Sequence, residues 1–215
     1  MSIRLPDRLP YIPEVDMLRP FLIGGLFAVS ACAEAPTAES NDPLDFSDDA
    51  TVIDFGLSGD SSWFSVNDTV MGGVSTGELS YTDEALVFEG VVSTDSNGGF
   101  TSVRSETDST DLSDYDRVVI RMRSEGQPFT VGLSHNRLFT QGQFRHDLEA
   151  GTGEWEVREV PLSDFELVNF SGGSPSPTDE RMQAEDREEI FYMELMSELF
   201  VDGAFRLEVD LIAFD

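Results

Sequence analysis

Lysine is absent from this chain of 215 residues, and all 13 basic side chains are arginines. That absence excludes a Schiff-base lysine, a pyridoxal-phosphate anchor and a P-loop lysine. Basic charge of any kind is scarce: 42 acids against 13 arginines leave a formal net charge of −29. Such a chain repels nucleic acid, whose binding depends on neutralising phosphates with cations. It also disfavours anionic substrates unless local arginines override the field. Cysteine occurs once and histidine twice. No intramolecular disulfide can form, and a four-ligand zinc site lacks donors. The apolar run Phe21–Val29 falls far short of the roughly 20 residues that cross a bilayer as a helix.

That short run reads instead as an address. Arg19 precedes it and small residues follow, the pattern of a secretory signal. Val29-Ser30-Ala31-Cys32 then resembles the lipobox of bacterial lipoproteins, with the sole cysteine where lipid is attached. The expected organisation is a lipoprotein signal peptide over 1–31, a disordered acidic tether over 32–50 and a single domain over 51–215. Pro6, Pro10 and Pro13 fit a signal poorly, which makes Met17 a candidate start. A flexible tether of this length reaches roughly 20 to 25 Å. The chain is thus expected to be exported, anchored to a membrane through Cys32 and facing the periplasm. Ala33 stands after Cys32 in place of an aspartate that would signal inner-membrane retention, which favours the outer membrane. High acidity alone would suggest disorder, but 40% hydrophobic residues, 16 phenylalanines among them, supply a core.

From Thr51 onward the hydrophobic period is two. Val118, Ile120 and Met122 alternate with Arg117, Arg121 and Arg123. Phe129, Val131 and Leu133 alternate with small residues, and Phe205, Leu207, Val209 and Leu211 with Arg206, Glu208, Asp210 and Ile212. Leu86–Val92 reads as another strand. Turn signals recur at Ser96-Asn97-Gly98-Gly99, Ser124–Pro128 and Gly151-Thr152-Gly153. Many short strands without β–α alternation predict an all-β antiparallel jelly-roll β-sandwich.

Two polar, glycine-bearing corners stand out: Val66-Asn67-Asp68-Thr69-Val70-Met71-Gly72-Gly73-Val74-Ser75-Thr76-Gly77 and Asn97-Gly98-Gly99-Phe100-Thr101-Ser102-Val103-Arg104-Ser105. Three further pieces follow in order: Asp111–Asp116, Gly153-Glu154-Trp155 with Val160–Phe165, and Gly203–Val209. With Trp63 they resemble the complex I intermediate-associated protein 30 family, from about Val52 to the C-terminus. The resemblance implies a galactose-binding-like β-sandwich, no established catalytic centre, and a role in assembling a membrane complex. It also implies a short helical turn near Asp186 followed by a strand. The sequence departs from the pattern over Gly172–Glu189, which is acidic and proline-bearing, and over Ile190–Asp202, where Glu194 replaces an expected small residue.

The candidate binding residues are Trp63, Asn67, Asp68, Met71, Gly72, Gly73, Asn97, Gly98, Gly99 and Arg104. Arg104 points away from Val103 by alternation, so a buried guanidinium there needs a partner, for which Asp68 is the candidate. Trp63 reads as core, or as a sugar platform if exposed beside Asn67. Arg121 and Arg123 form a cationic strip that neighbouring acidic strands can neutralise. Gly73-Val74-Ser75-Thr76-Gly77 matches the G-x-S-x-G elbow, but strand character follows it where the elbow requires a helix. A serine hydrolase using Ser75 with His135 or His146 is therefore disfavoured. No cofactor is expected beyond a structural calcium, for which Asp54, Asp68, Asp95 and Asp210 are candidate ligands. The preferred reading is a noncatalytic, membrane-tethered module that binds a protein partner. An exported chain cannot reach the cytoplasmic arm of complex I, so assembly would concern the outward face or another complex. The alternative is a carbohydrate-binding module for an envelope or environmental glycan.

Overall fold

The computed structural model describes residues 44, 46–56, 62–105, 109–138, 141–171, 174–197 and 199–215. The expected signal peptide, Cys32 and most of the tether lie outside the described residues. Within them, strands build two antiparallel sheets. The first contains β1 (Thr51–Asp54), β3 (Thr76–Tyr81), β4 (Leu86–Val92), β6 (Arg117–Glu125), β9 (Glu156–Pro161) and β13 (Gly203–Phe214). Its order is β3-β4-β13-β6-β9. Strand β1 pairs with Leu211–Phe214, continuing along β13 the edge that β4 occupies over Gly203–Val209. The second sheet contains β2 (Trp63–Asn67), β5 (Thr101–Ser105), β7 (Phe129–Ser134), β8 (Gln143–Leu148), β10 (Glu166–Ser171), β11 (Ser174–Arg181) and β12 (Tyr192–Ser197). Its order is β11-β10-β8-β7-β12-β5-β2.

The expected sandwich is what forms, because the period-two residues of both sheets meet face to face. Val118, Ile120, Met122, Leu207 and Val209 of the first sheet bury themselves against Val103, Phe129, Val131, Leu133, Phe144 and Leu195 of the second. The Phe205 ring packs 4.8 Å from Phe88 within its own sheet and 5.8 Å from Phe129 across the layer. Each such phenylalanine, fully withdrawn from water, stabilises the fold by about 1.5–3 kcal/mol. The helical turn expected near Asp186 spans Ala184–Arg187 and is followed by β12. The proline-bearing segment after Gly172 forms β11, an edge strand in which Pro175 and Pro177 pair with Phe170 and Val168. An edge is where a strand proline, lacking an N–H, is tolerated.

One alternation was misassigned by simple counting. The register of β13 shifts between Val209 and Leu211. A residue inserted at a bulge flips every later side chain to the other face. Beyond it Ile212 and Phe214 point into the core with Phe205, Leu207 and Val209, whereas Leu211 is only half-buried. Ile212→Ala should therefore destabilise the domain by about 2–5 kcal/mol, and Leu211→Ala by about 1 kcal/mol or less. Urea unfolding of the two variants checks this; the reverse order would place the bulge elsewhere.

Candidate functional site

Both glycine corners are crossovers between the sheets: Asn67–Ser75 leads from β2 to β3, and Ser93–Phe100 from β4 to β5. They meet at the carboxylate of Asp68, which is completely buried. Its Oδ1 accepts from the Ser75 N–H at 3.0 Å. Its Oδ2 accepts from the Ser75 hydroxyl at 2.5 Å, from the Gly99 N–H at 2.7 Å and from the Phe100 N–H at 3.3 Å. Burial opposes the charge, but these donors outweigh it and hold the carboxyl below the usual range. The glycines are needed for close approach. A Cβ on Gly73 would lie 2.7 Å from the Gly98 Cα, and one on Gly98 would lie 2.6 Å from Asp68 Oδ2.

This clamp accounts for several candidate residues and separates others. Asn67 turns inward, donating to the Gly77 carbonyl at 3.3 Å and accepting from the Thr101 hydroxyl. Trp63 is core, edge-on to Phe55 with ring centroids 5.7 Å apart. Asn97 sits exposed in the turn Asp95–Asn97 with φ +62°. Met71 and Gly72 are exposed at the corner tip. The Ser75 hydroxyl is directed at Asp68 and accepts from the Ser93 N–H at 3.0 Å. The two histidines belong to the second sheet's side, stacked near Phe144 and Phe165. Of the calcium candidates, Asp68 and Asp95 belong to the glycine corners. Asp54 and Asp210 are close to each other on the first sheet, where Asp210 pairs with Arg121. Among the described residues no group of three or more His, Cys, Asp or Glu side chains is placed to hold a metal ion.

Arg104 does not meet Asp68. It projects from the outer face of the second sheet, and its Nε donates to Glu194 Oε1 at 2.8 Å. The reason is the pleat: Arg104 and Glu194 are directly paired residues on neighbouring strands. The same row crosses all seven strands as Phe64, Arg104, Glu194, Gly132, Arg145, Glu166 and Arg181. Gly132 leaves a gap in it. Arg145 reaches across to Glu194 Oε2 at 3.3 Å, and the Gln143 side chain lies over the glycine, its Cδ 2.6 Å from where a Cβ would stand. Gln143 Oε1 accepts from Arg145 Nε at 2.9 Å, while its buried Nε2 has no partner among the described residues. Glu194 is 1% exposed. Burial alone would raise its pKa, but Arg104 and Arg145 override this and keep it low. Burial pulls the Arg145 guanidinium the other way, below its usual range, against the opposing Glu194. Phe170 stacks 4.5 Å from Arg145 and Tyr192 5.4 Å from Arg104. Beside Arg145 a cleft of about 530 Å³ opens, lined by His146, Asp147, Ser163, Asp164, Glu166 and Arg181.

A sequence model of the complex I intermediate-associated protein 30 family matches residues 53–209. The chain belongs to that family. No curated protein sequence matches it significantly. Among solved structures it is similar to a family 11 carbohydrate-binding module from Clostridium thermocellum in complex with a β-1,3-1,4-mixed-linked tetrasaccharide. The TM-score is 0.54 at 15% identity, covering 77% of this chain and 94% of that one. An agarase is similar over 77% of this chain but only 24% of its own, with a TM-score of 0.50 and 12% identity. At such identities the likeness shows the fold, a galactose-binding-like sandwich.

Glu194 is a departure from the family pattern, and its partners are not legible from the sequence. It stands among the buried residues Met193, Leu195 and Met196, and a charge in a strand covered on both faces requires opposite charges nearby. That was the available signal. Gln143 and Arg145 carried none beyond alternation.

Replacing Asp68 by alanine leaves three buried N–H groups and a hydroxyl without their acceptor and should cost roughly 3 kcal/mol or more at neutral pH. A carboxyl held low in the folded state stabilises it above the unfolded value, and that contribution is lost as pH falls. The gap between wild type and Asp68→Ala should therefore narrow below about pH 4. Denaturant unfolding at pH 7 and pH 3 checks this; an unchanged gap would mean that the carboxylate's charge is not what the corners use.

Proposed function

We propose that this chain is a noncatalytic binding module, held at a bacterial membrane by lipid on Cys32 and facing the periplasm, that binds a protein partner during assembly of a membrane complex. The observation that carries this reading is the family match over residues 53–209. The inward chemistry is consistent with it: the Asp68–Ser75 pair ties backbone segments together rather than facing a substrate. Because the chain has no lysine, amine-reactive crosslinkers leave its side chains unmodified. Its carboxylates, in contrast, couple readily to a partner's lysines through a carbodiimide. In intact cells that coupling should yield a discrete heavier adduct of the wild type, and Cys32→Ser should lose both the adduct and the membrane fraction. No adduct at physiological salt would remove the protein-binding reading; a membrane-bound Cys32→Ser chain would remove the lipid anchor.

A second reading is supported by the outer face of the second sheet. There, beside the nearly buried Arg145 and the Phe170 ring stacked on it, the cleft is lined by Arg181 and by the acids Asp147, Asp164 and Glu166. Guanidinia and carboxylates next to an aromatic ring suit sugar hydroxyls and a sugar face. The similar family 11 module was solved with a bound tetrasaccharide. Under this reading a neutral glycan binds on an array, and Arg145→Ala weakens it about tenfold or more. A blank array in both calcium and chelator would dispose of it.

A further inference from the structure

The end of the sandwich that holds the two glycine corners also exposes apolar side chains. Met71 and Val74 flank Gly72 and Gly73, and Phe200 and Val201 occupy the turn before β13; all four are exposed. The segments are in direct contact. Gly73 packs against Gly98, and the Phe200 N–H donates to the Gly99 carbonyl at 2.8 Å. Asp202, next in the chain, accepts from the Thr94 N–H at 2.6 Å.

Phe200 is unusual on two counts. It is 52% exposed, yet its backbone is left-handed at φ +59°. A bulky residue in that region is strained, and such strain persists only where the surroundings impose it. Here Gly99 does so. At φ +138° it presents a bare Cα to the Phe200 ring, whose Cδ1 would lie 2.5 Å from any Cβ placed there. The ring is thus pre-set in one orientation while half of the residue remains in water. An aromatic side chain fixed in this way loses little freedom on being buried by a partner.

Resting on the binding-module reading, we propose that this end of the sandwich is the docking surface for a protein partner: an apolar pocket that receives Phe200, bordered by basic residues. The charge argues for the basic border. The exposed segments around the ring carry Asp95 and Asp202 and no arginine, on a chain whose net charge is −29. The same charge disfavours an anionic lipid surface, which attracts basic segments. Topology points the same way. The chain enters the domain beside its C-terminus, where the Ser47 N–H donates to Asp215 and Thr51 pairs with Phe214. Phe200 lies three residues before the start of β13, whose 12 residues extend about 40 Å. The patch therefore lies at the opposite end of the sandwich from the tether's point of entry.

The test places a photoreactive benzoylphenylalanine at position 200, at position 74 and, as the control at the tether end, at position 52 of the full chain in intact cells. The expected result is one protein adduct at 200 and 74 and none at 52, with the crosslinked peptide of the partner rich in lysine or arginine. The identified partner, purified, should then bind Phe200→Gly at least tenfold more weakly, and Val74→Ser more weakly as well. Phe200→Gly should keep or raise Tm, because glycine adopts the left-handed conformation without strain. Adducts with lipid alone, adducts with a second copy of this chain, adducts equal at position 52, or unchanged affinity of Phe200→Gly would each overturn the docking surface. If carbodiimide coupling yields a partner while position 200 yields none, the binding-module reading stands and this surface falls. If neither yields one, both fall.

Discussion

The carboxylate of Asp68 is the constraint on which this sandwich most depends. Two crossovers, each carrying the chain from one sheet to the other, have to turn sharply and leave backbone N–H groups pointing inward. Asp68 accepts from Ser75 on its own crossover and from Gly99 and Phe100 on the other. One anion therefore satisfies donors that would otherwise be buried unpaired, and it locks the separation of the two corners. Their glycines follow from this contact: with any side chain at position 73 or 98 the corners could not close around the carboxylate. The G-x-S-x-G match is a by-product, since Ser75 is there to bond Asp68.

Glu194 poses the opposite problem and meets it differently. Its charge is met by two guanidinia. A buried carboxylate between Arg104 and Arg145 is tolerated because each cation supplies charge and a directed N–H at once. This helps to explain why a chain so short of positive charge uses arginine throughout. Arg121 and Arg123 each stack 4.9 Å from Trp155 while pairing with Asp210 and Glu208, and Arg187 bonds the Tyr115 and Gln183 carbonyls. A planar fork can stack and bond simultaneously, which an ammonium cannot. Three of the scarce cations, Arg104, Arg145 and Arg187, are buried, and Arg117, Arg121, Arg123 and Arg206 pair with acids nearer the surface.

The molecule is consequently polar along its length in a structural sense. One end receives the incoming chain at Thr51 and is fastened by Asp215, whose carboxyl is held down to about 2 by Ser47 and Arg117. The other end displays the glycine corners and the strained Phe200. The outer face of the second sheet lies between them, with its row of alternating charge. The chain's point of entry at Thr51 and the two candidate recognition surfaces thus occupy separate parts of the sandwich.

The sequence by itself determined the fold class. Val118-Ile120-Met122 and Phe129-Val131-Leu133 alternate so regularly that only strands with one buried face fit them, and the glycine corners carried the family resemblance. The helical turn at Ala184–Arg187 and the core position of Trp63 were also legible. Tertiary structure alone decided which charges meet. Asp68 was the expected partner of Arg104, yet Asp68 sits in the turn after β2, clamped by Ser75, Gly99 and Phe100, and the register with β12 delivers Glu194 to Arg104 instead. The bulge after Val209 reversed the facing of the last side chains of β13 for a similar reason. Alternation along one strand reports burial, a local property of side chains against water. Register between strands is set by how both sheets pack together, and no single segment contains that information.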